Sequence, residues 1–214
     1  MRLTVTMFLF IFYLINPLPI AHENIVFCEI FENPKPAKTY HIKRATMIKP
    51  SDLANHVIRP TLENMAEFDS RMNTEDAVNL LMGIAAVESK LGYHLMQQPS
   101  GPARGIYQME PITHSDVRRY WNRSDKKQLG DICRGMASQH LYDDDPDLEL
   151  FTNLKYQTCA ARVRLWYVRD ALPAFDDIEG QAKYWKAHYN TSGGRGTEEH
   201  YIASHAHYLK GADF

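Results

Sequence analysis

The sequence predicts an all-α domain. Apolar residues recur at helical spacing over most of the chain beyond residue 51, and helix-starting residues stand at intervals along it. No convincing strand ladder and no internal repeat interrupts them. At 214 residues the chain can bury one good core, or at most two small domains.

The elements follow in order. Ser51 is placed to cap a first helix through Phe68, with Pro60 as its kink or break. Asn73 or Thr74 caps the second, Glu75 and Asp76 fall in its first turn, and Gly92 is suited to end it. Thr113 with Asp116 resembles a capping box for a short helix to about Asn122, and another is expected from Lys126 to His140. The acidic run "DDDPDLE" has Pro146 where a calcium loop needs flexibility, and it has no turn glycine. A helix start explains it better, with Asp145 as cap, Pro146 first, and Asp147 and Glu149 in the opening turn. That helix is expected to reach about Leu172, followed by two more over Ile178–His188 and Thr197–Leu209.

The chain before these helices is different. "MRLTVTMFLFIFYLINPLPIAHE" has one basic residue, an apolar run from Val5 to Ile15, then Pro17 and Pro19. The run is short for a bilayer and fits the apolar core of a secretory signal. Residues 1–22 are therefore expected to be a signal or anchor segment, with an upstream start codon as the plain alternative. Residues 23–50, which include "ENPKPAKTYHIKR", read as a linker or extended arm, leaving 51–214 as the folded domain.

Composition narrows the function. With 44% hydrophobic and 23% charged residues and a formal net charge of -2, the chain lacks the basic excess of a nucleic-acid binder. Cys28, Cys133 and Cys159 form no CxxC pair. They read as buried thiols, with a Cys133–Cys159 bridge open to an exported chain. His200, His205 and His207 are spaced so that they do not stack on one helical face, and no HExxH or cysteine partner accompanies them, so no metal is expected. "TSGGRG" lacks the Gly-Lys-Ser/Thr of a phosphate loop and reads as a turn or a mobile edge, and no cofactor is expected. The aromatic residues from Trp166 to Trp185 read mostly as core, and Arg162, Arg164 and Arg169 as solvated or ion-paired side chains.

One acid breaks the pattern. At about 100° per residue, Ala77, Leu80, Leu81, Ile84, Val87 and Leu91 form one stripe on the second helix. Glu88, four residues after Ile84 and seven after Leu81, lies on that stripe, whereas Ser89 and Lys90 point away. A carboxyl in apolar surroundings near a helix carboxyl end stays protonated to higher pH. Such an acid can protonate a poor leaving group such as a glycosidic oxygen. The plain alternative is a boundary glutamate that reaches solvent or pairs with an arginine.

Beyond this helix stands "GPARGIYQMEPITH", whose Gln108 lies twenty residues after Glu88. Together, "AAVESKLG" and "ARGIYQMEPIT" resemble the lytic transglycosylases and lysozyme-like enzymes that cleave peptidoglycan, which pair a Glu-Ser helix end with a Gly-x-x-Gln-x-x-Pro-x-Thr segment. "AKYWKAHYNTSGG" resembles the family's Ala-x-x-Tyr-Asn-x-Gly segment. The resemblance spans residues 77 to 194, and it implies a helical domain like that of goose-type lysozyme and lytic transglycosylases, with an irregular amino-terminal arm. It implies Glu88 as catalytic acid and then base. Gln108 would hydrogen-bond the sugar chain, beside backbone groups of Tyr107 and Met109. Tyr189 would approach the carboxyl, and Asn190 would hold the loop or the glycan. Thr113 reads as a helix cap, and Gly105 either as a turn glycine or as a point of close substrate approach. Pro99 stands where the family often has a serine, and Tyr107 where methionine is common.

A hydrolase normally needs a second carboxylate across the scissile bond, for which Glu110 and Asp116 are the nearby candidates. A transglycosylase needs one carboxyl, because the substrate's N-acetyl and C6-hydroxyl groups replace the second acid and the water. The expectation is therefore non-hydrolytic cleavage of the β-1,4 MurNAc–GlcNAc bond to 1,6-anhydro ends. Lysozyme-like hydrolysis is the alternative, and a non-catalytic glycan-binding or structural part of a phage particle or secretion apparatus is the rival from another class. The expected partner is the peptidoglycan glycan strand, in the periplasm or cell envelope or carried on a phage virion. No nucleic acid is expected, and membrane contact only through an uncleaved amino-terminal segment. With no heptad seam, a monomer is expected.

Overall fold

The computed structural model describes residues 47–190 and 194–214, and among these every regular element is helical, apart from isolated bridges joining Met96, Arg104 and Met109. The segments expected as signal and most of the arm, together with Cys28, lie outside the described residues. The chain enters the domain earlier than expected. The Ile48 amide donates to the Leu91 carbonyl at 2.9 Å, and the Ile48 side chain packs on the core, so residues 47–50 belong to the fold.

The first helix is continuous in three parts: α1 (Pro50–Leu53), a π turn (Ala54–Ile58) and α2 (Arg59–Met65). Pro60 does not end it. The turn before it widens, the Arg59 amide bonds the Ala54 carbonyl, and room opens for a ring that carries no N–H. Pro50 stands in the first turn, Lys49 is the cap, and Ser51 does not cap.

The second helix, α3 (Glu75–Ser89), starts as expected, with the Thr74 hydroxyl accepting the Ala77 amide at 3.2 Å. Its burial differs from the expected stripe. From Ala77 to Val87 every residue but Asn79 is buried, because α3 runs through the centre of the domain. Ser89 does not face solvent either. It is buried, donates to the Ala85 carbonyl and accepts the Gly92 amide. The helix ends before Gly92: Lys90 takes the left-handed conformation with φ 56° and Leu91 follows with φ 54°.

In α4 (Pro111–Trp121) the expected capping box is absent. Pro111 opens the helix after Glu110, Thr113 lies inside the first turn, and Asp116 pairs with Arg119 at 3.1 Å on the surface. The helix expected over 126–140 is split into α5 (Lys127–Gly135) and α6 (Gln139–Asp144). Asp145 starts the next segment by accepting the Asp147 amide, but α7 (Glu149–Thr152) stops at Asn153, which caps α8 (Leu154–Trp166). Buried Glu149 explains both breaks. One of its oxygens accepts the Ser138 amide at 2.9 Å and the other the Asn153 side-chain amide at 2.8 Å.

Then come α9 (Ile178–Trp185), a π turn (Lys186–Asn190) and α10 (Glu198–Tyr208) capped by Thr197. Helices α8, α9 and α10 all pack on α3, while α2, α4 and α5 cover the other side of α8. Arg162, expected on the surface, is 2% exposed. Its guanidinium donates to the carbonyls of Arg71 and Met72 and lies over the Trp166 ring, tying α8 to the turn before α3. Cys133 of α5 and Cys159 of α8 are buried with their sulfurs 2.7 Å apart. No described helix is long and apolar enough to cross a membrane.

Candidate active site

Burial of α3 on all sides makes Glu88 more conspicuous than a stripe would. It sits in the last helical turn, and its carboxyl forms part of the floor of a cleft of about 570 Å³, within the range of small-ligand sites. Glu88 is partly accessible through the cleft and packed by protein elsewhere. Burial raises its pKa from 4.5 to about 7, against an opposing pull from a hydrogen bond with Trp185. In that bond the indole N–H of Trp185, at the end of α9, donates to Glu88 Oε1 at 2.9 Å. The neighbouring backbone is also fixed, since His94 Nε2 donates to the Glu88 carbonyl at 3.2 Å.

The facing wall is the turn between Arg104 and Met109. These two residues exchange both backbone hydrogen bonds at 3.0 Å, and Gly105 and Gln108 inside the turn have φ of 76° and 46°. Gly105 answers the question its sequence left open. A Cβ there would come 2.1 Å from the Leu150 carbonyl oxygen, so the glycine serves close packing against α7 and α8. The Ile106 amide completes this seat by donating to Gln157 of α8 at 2.7 Å.

The turn aims Gln108 into the cleft. Its side-chain nitrogen donates to the Gly105 carbonyl at 2.7 Å, and among the described residues no donor meets its side-chain oxygen. Tyr107 points the other way. Its ring is buried, its hydroxyl meets Thr158, and its carbonyl accepts the Tyr189 hydroxyl at 2.9 Å. Met109 lines the cleft, and its backbone groups are engaged with Arg104. The backbone of Met109 is thus spent on closing the turn, and the Tyr107 carbonyl on holding Tyr189.

Tyr189 lines the cleft, and its phenol pKa is raised first by burial and then by the nearby Glu88 charge. Its hydroxyl bonds Tyr107, and Trp185 holds the carboxyl instead. Asn190 also lines the cleft and accepts from Lys186 at 2.9 Å. Residues 191–193 of the glycine-rich segment lie outside the described residues, and Gly194–Gly196 form one edge.

Of the two second-acid candidates, Glu110 lines the cleft and Asp116 does not. Thr113, expected to cap, lines it too. Lys90, Arg164 and Arg195 stand on its walls, and among the described residues none of them enters an ion pair. No group of three or more histidine, cysteine or acidic side chains able to hold a metal exists among the described residues.

Trp185 is the residue that sequence reasoning assigned to the core without a role. It precedes Tyr189 by four positions, one helical turn, so spacing places both on one face. Glu88 is 97 positions away and carries no such signal. Fold and site together define an all-α domain with a proton-holding carboxyl at the floor of an open cleft. No protein-family model, curated protein or solved structure matches this chain.

Proposed function

We propose that this chain is a peptidoglycan lytic transglycosylase with a lysozyme-like helical fold, in which Glu88 is the only catalytic carboxyl. The observation that carries this reading is an acid with a pKa near 7 at the floor of a cleft large enough for sugars. At neutral pH it is divided between its two forms, so it can give a proton and take one back. Glu88 protonates the glycosidic oxygen of the MurNAc–GlcNAc bond as that bond breaks. The resulting carboxylate then removes the C6-hydroxyl proton of MurNAc while that oxygen closes on C1. The 1,6-anhydro ring forms, and Glu88 recovers its proton.

Gln108 offers its side-chain oxygen to sugar hydroxyls or amides, and Tyr189 and Asn190 line the same cleft. The cations Lys90, Arg164 and Arg195 on the cleft suit a strand that carries carboxylates. The protein acts as a monomer on envelope glycan strands, as a resident of the envelope or as part of a phage particle. Lysozyme-like hydrolysis is the second reading, favoured by Glu110 on the same cleft. Digestion of purified peptidoglycan with the full chain, read by mass spectrometry, separates them. Anhydro-muropeptides support the transglycosylase, and reducing ends alone support the hydrolase and exclude it.

A further inference from the structure

Resting on glycan cleavage at Glu88, we propose that Trp185 is the positioning residue of this carboxyl, its indole N–H fixing Oε1 so that Oε2 is the oxygen that gives up and recovers the proton. The first support is directional. An indole N–H can only donate, so the oxygen it meets at 2.9 Å accepts and cannot point an acid proton along the same line. Among the described residues no other side chain bonds the carboxyl. Oε2 is left to carry the acid proton.

The second support is that Trp185 is locked. It is 1% exposed, and its rings lie 5.6 Å from those of Tyr201 of α10. Gly196 closes the outer edge, where a Cβ would come 2.5 Å from the indole ring. One turn beyond Trp185, Tyr189 anchors to the Tyr107 carbonyl, so the helix end that carries the donor is tied to the turn that presents Gln108. A side chain held this firmly can restrict the carboxyl to one rotamer, and small displacements of a reacting group cost large factors in rate.

The third support is electrostatic. The N–H favours the charged carboxylate while burial favours the neutral acid, and the two opposing influences leave the group near 7. Other titratable or charged groups on the cleft are Lys90 and His94 beyond α3, Glu110 before α4, Arg164 of α8, Tyr189 of the π turn, Arg195, and His200 and Tyr208 of α10. Trp185→Phe changes none of these.

The test uses the full chain labelled with nitrogen-15. The protein has three tryptophans, and Trp185→Phe identifies the Trp185 indole signal by its loss. In the parent, that signal is expected to move with pH, with its midpoint at the upper limb of the cleavage profile, and to stay flat in Glu88→Gln. Trp185→Phe is expected to lower kcat roughly ten- to a hundredfold with KM near the parent's, and to move the upper limb to higher pH. Gly196→Val, which displaces the ring while keeping its N–H, should lower kcat in the same way.

An indole signal flat across the neutral range in the parent would overturn the proposal. So would a Trp185→Phe enzyme with parental kcat and an unmoved pH limb. If Trp185→Phe fails to fold, the titrations of the parent and of Glu88→Gln decide. If the parent cleaves no glycan while its indole still titrates with Glu88, the cleavage reading and the proton-transfer role of Oε2 both fail, and only the Trp185–Glu88 contact stands.

Discussion

At neutral and alkaline pH, Glu88 stabilises the fold less than a neutral residue would, because burial disfavours its charged form. Its folded pKa of about 7 lies above the ordinary 4.5, so between those values the folded protein binds more protons than the unfolded chain. Its contribution to stability is therefore complete below about 4.5 and is lost as pH rises through 7. Glu88→Gln should raise stability by about 2 kcal/mol at pH 8 and by much less at pH 5, as read by denaturant unfolding. Cleavage follows the same proton: the rate should fall as pH rises past about 7, because the acid form disappears. A rate that kept rising above that point would point to a group other than Glu88 as the proton donor.

The elements around Glu88 are held by side chains whose partners lie far along the chain. His114 of α4 is buried, with Nδ1 donating to Asp147 at 2.6 Å and Nε2 accepting the Tyr156 hydroxyl at 2.7 Å, joining α4 to the turn before α7 and to α8. Burial lowers its pKa below 6.5, outweighing the pull of Asp147, so the neutral ring is the folded form. Its contribution is present above 6.5 and lost as pH falls through the lower folded value. His114→Phe should cost about 2 kcal/mol near neutrality and flatten the acid side of the melting-temperature profile. Gly105→Ala, with φ 76° and a backbone oxygen in the way, should cost about 3 kcal/mol and misplace Gln108, seen as lower stability together with weaker glycan binding.

Legibility in the sequence follows the same division. The caps at Thr74, offered together with Asn73, and at Asp145 could be read because each acts within three residues. The breaks at residues 136–138 and at Asn153 could not, since they depend on Glu149 bonding a helix start 11 residues away. The Thr113 box failed because Pro111 two positions earlier is a stronger first residue. Glu88 stood out locally as an acid among apolar residues, whereas the Trp185 that grips it is visible only in three dimensions.

At the scale of the whole molecule, a chain with net charge -2 gathers Lys90, Arg164 and Arg195 on one cleft, and among the described residues none of the three enters an ion pair. If the proposed glycan strand carries carboxylates, these cations predict capture that weakens with salt. Lys90→Gln with Arg195→Gln should raise KM severalfold and leave kcat near the parent's, with the difference shrinking at high ionic strength in initial-rate measurements. The central claim, that this cleft exists to bring a glycan bond to Glu88, is tested most directly by digesting purified peptidoglycan with the parent and Glu88→Gln side by side. Strand binding is measured on both. The account predicts anhydro-muropeptides from the parent alone, with strand binding retained by the mutant. Equal behaviour of the two proteins, in products and in binding, would contradict it and make the domain a glycan-binding module.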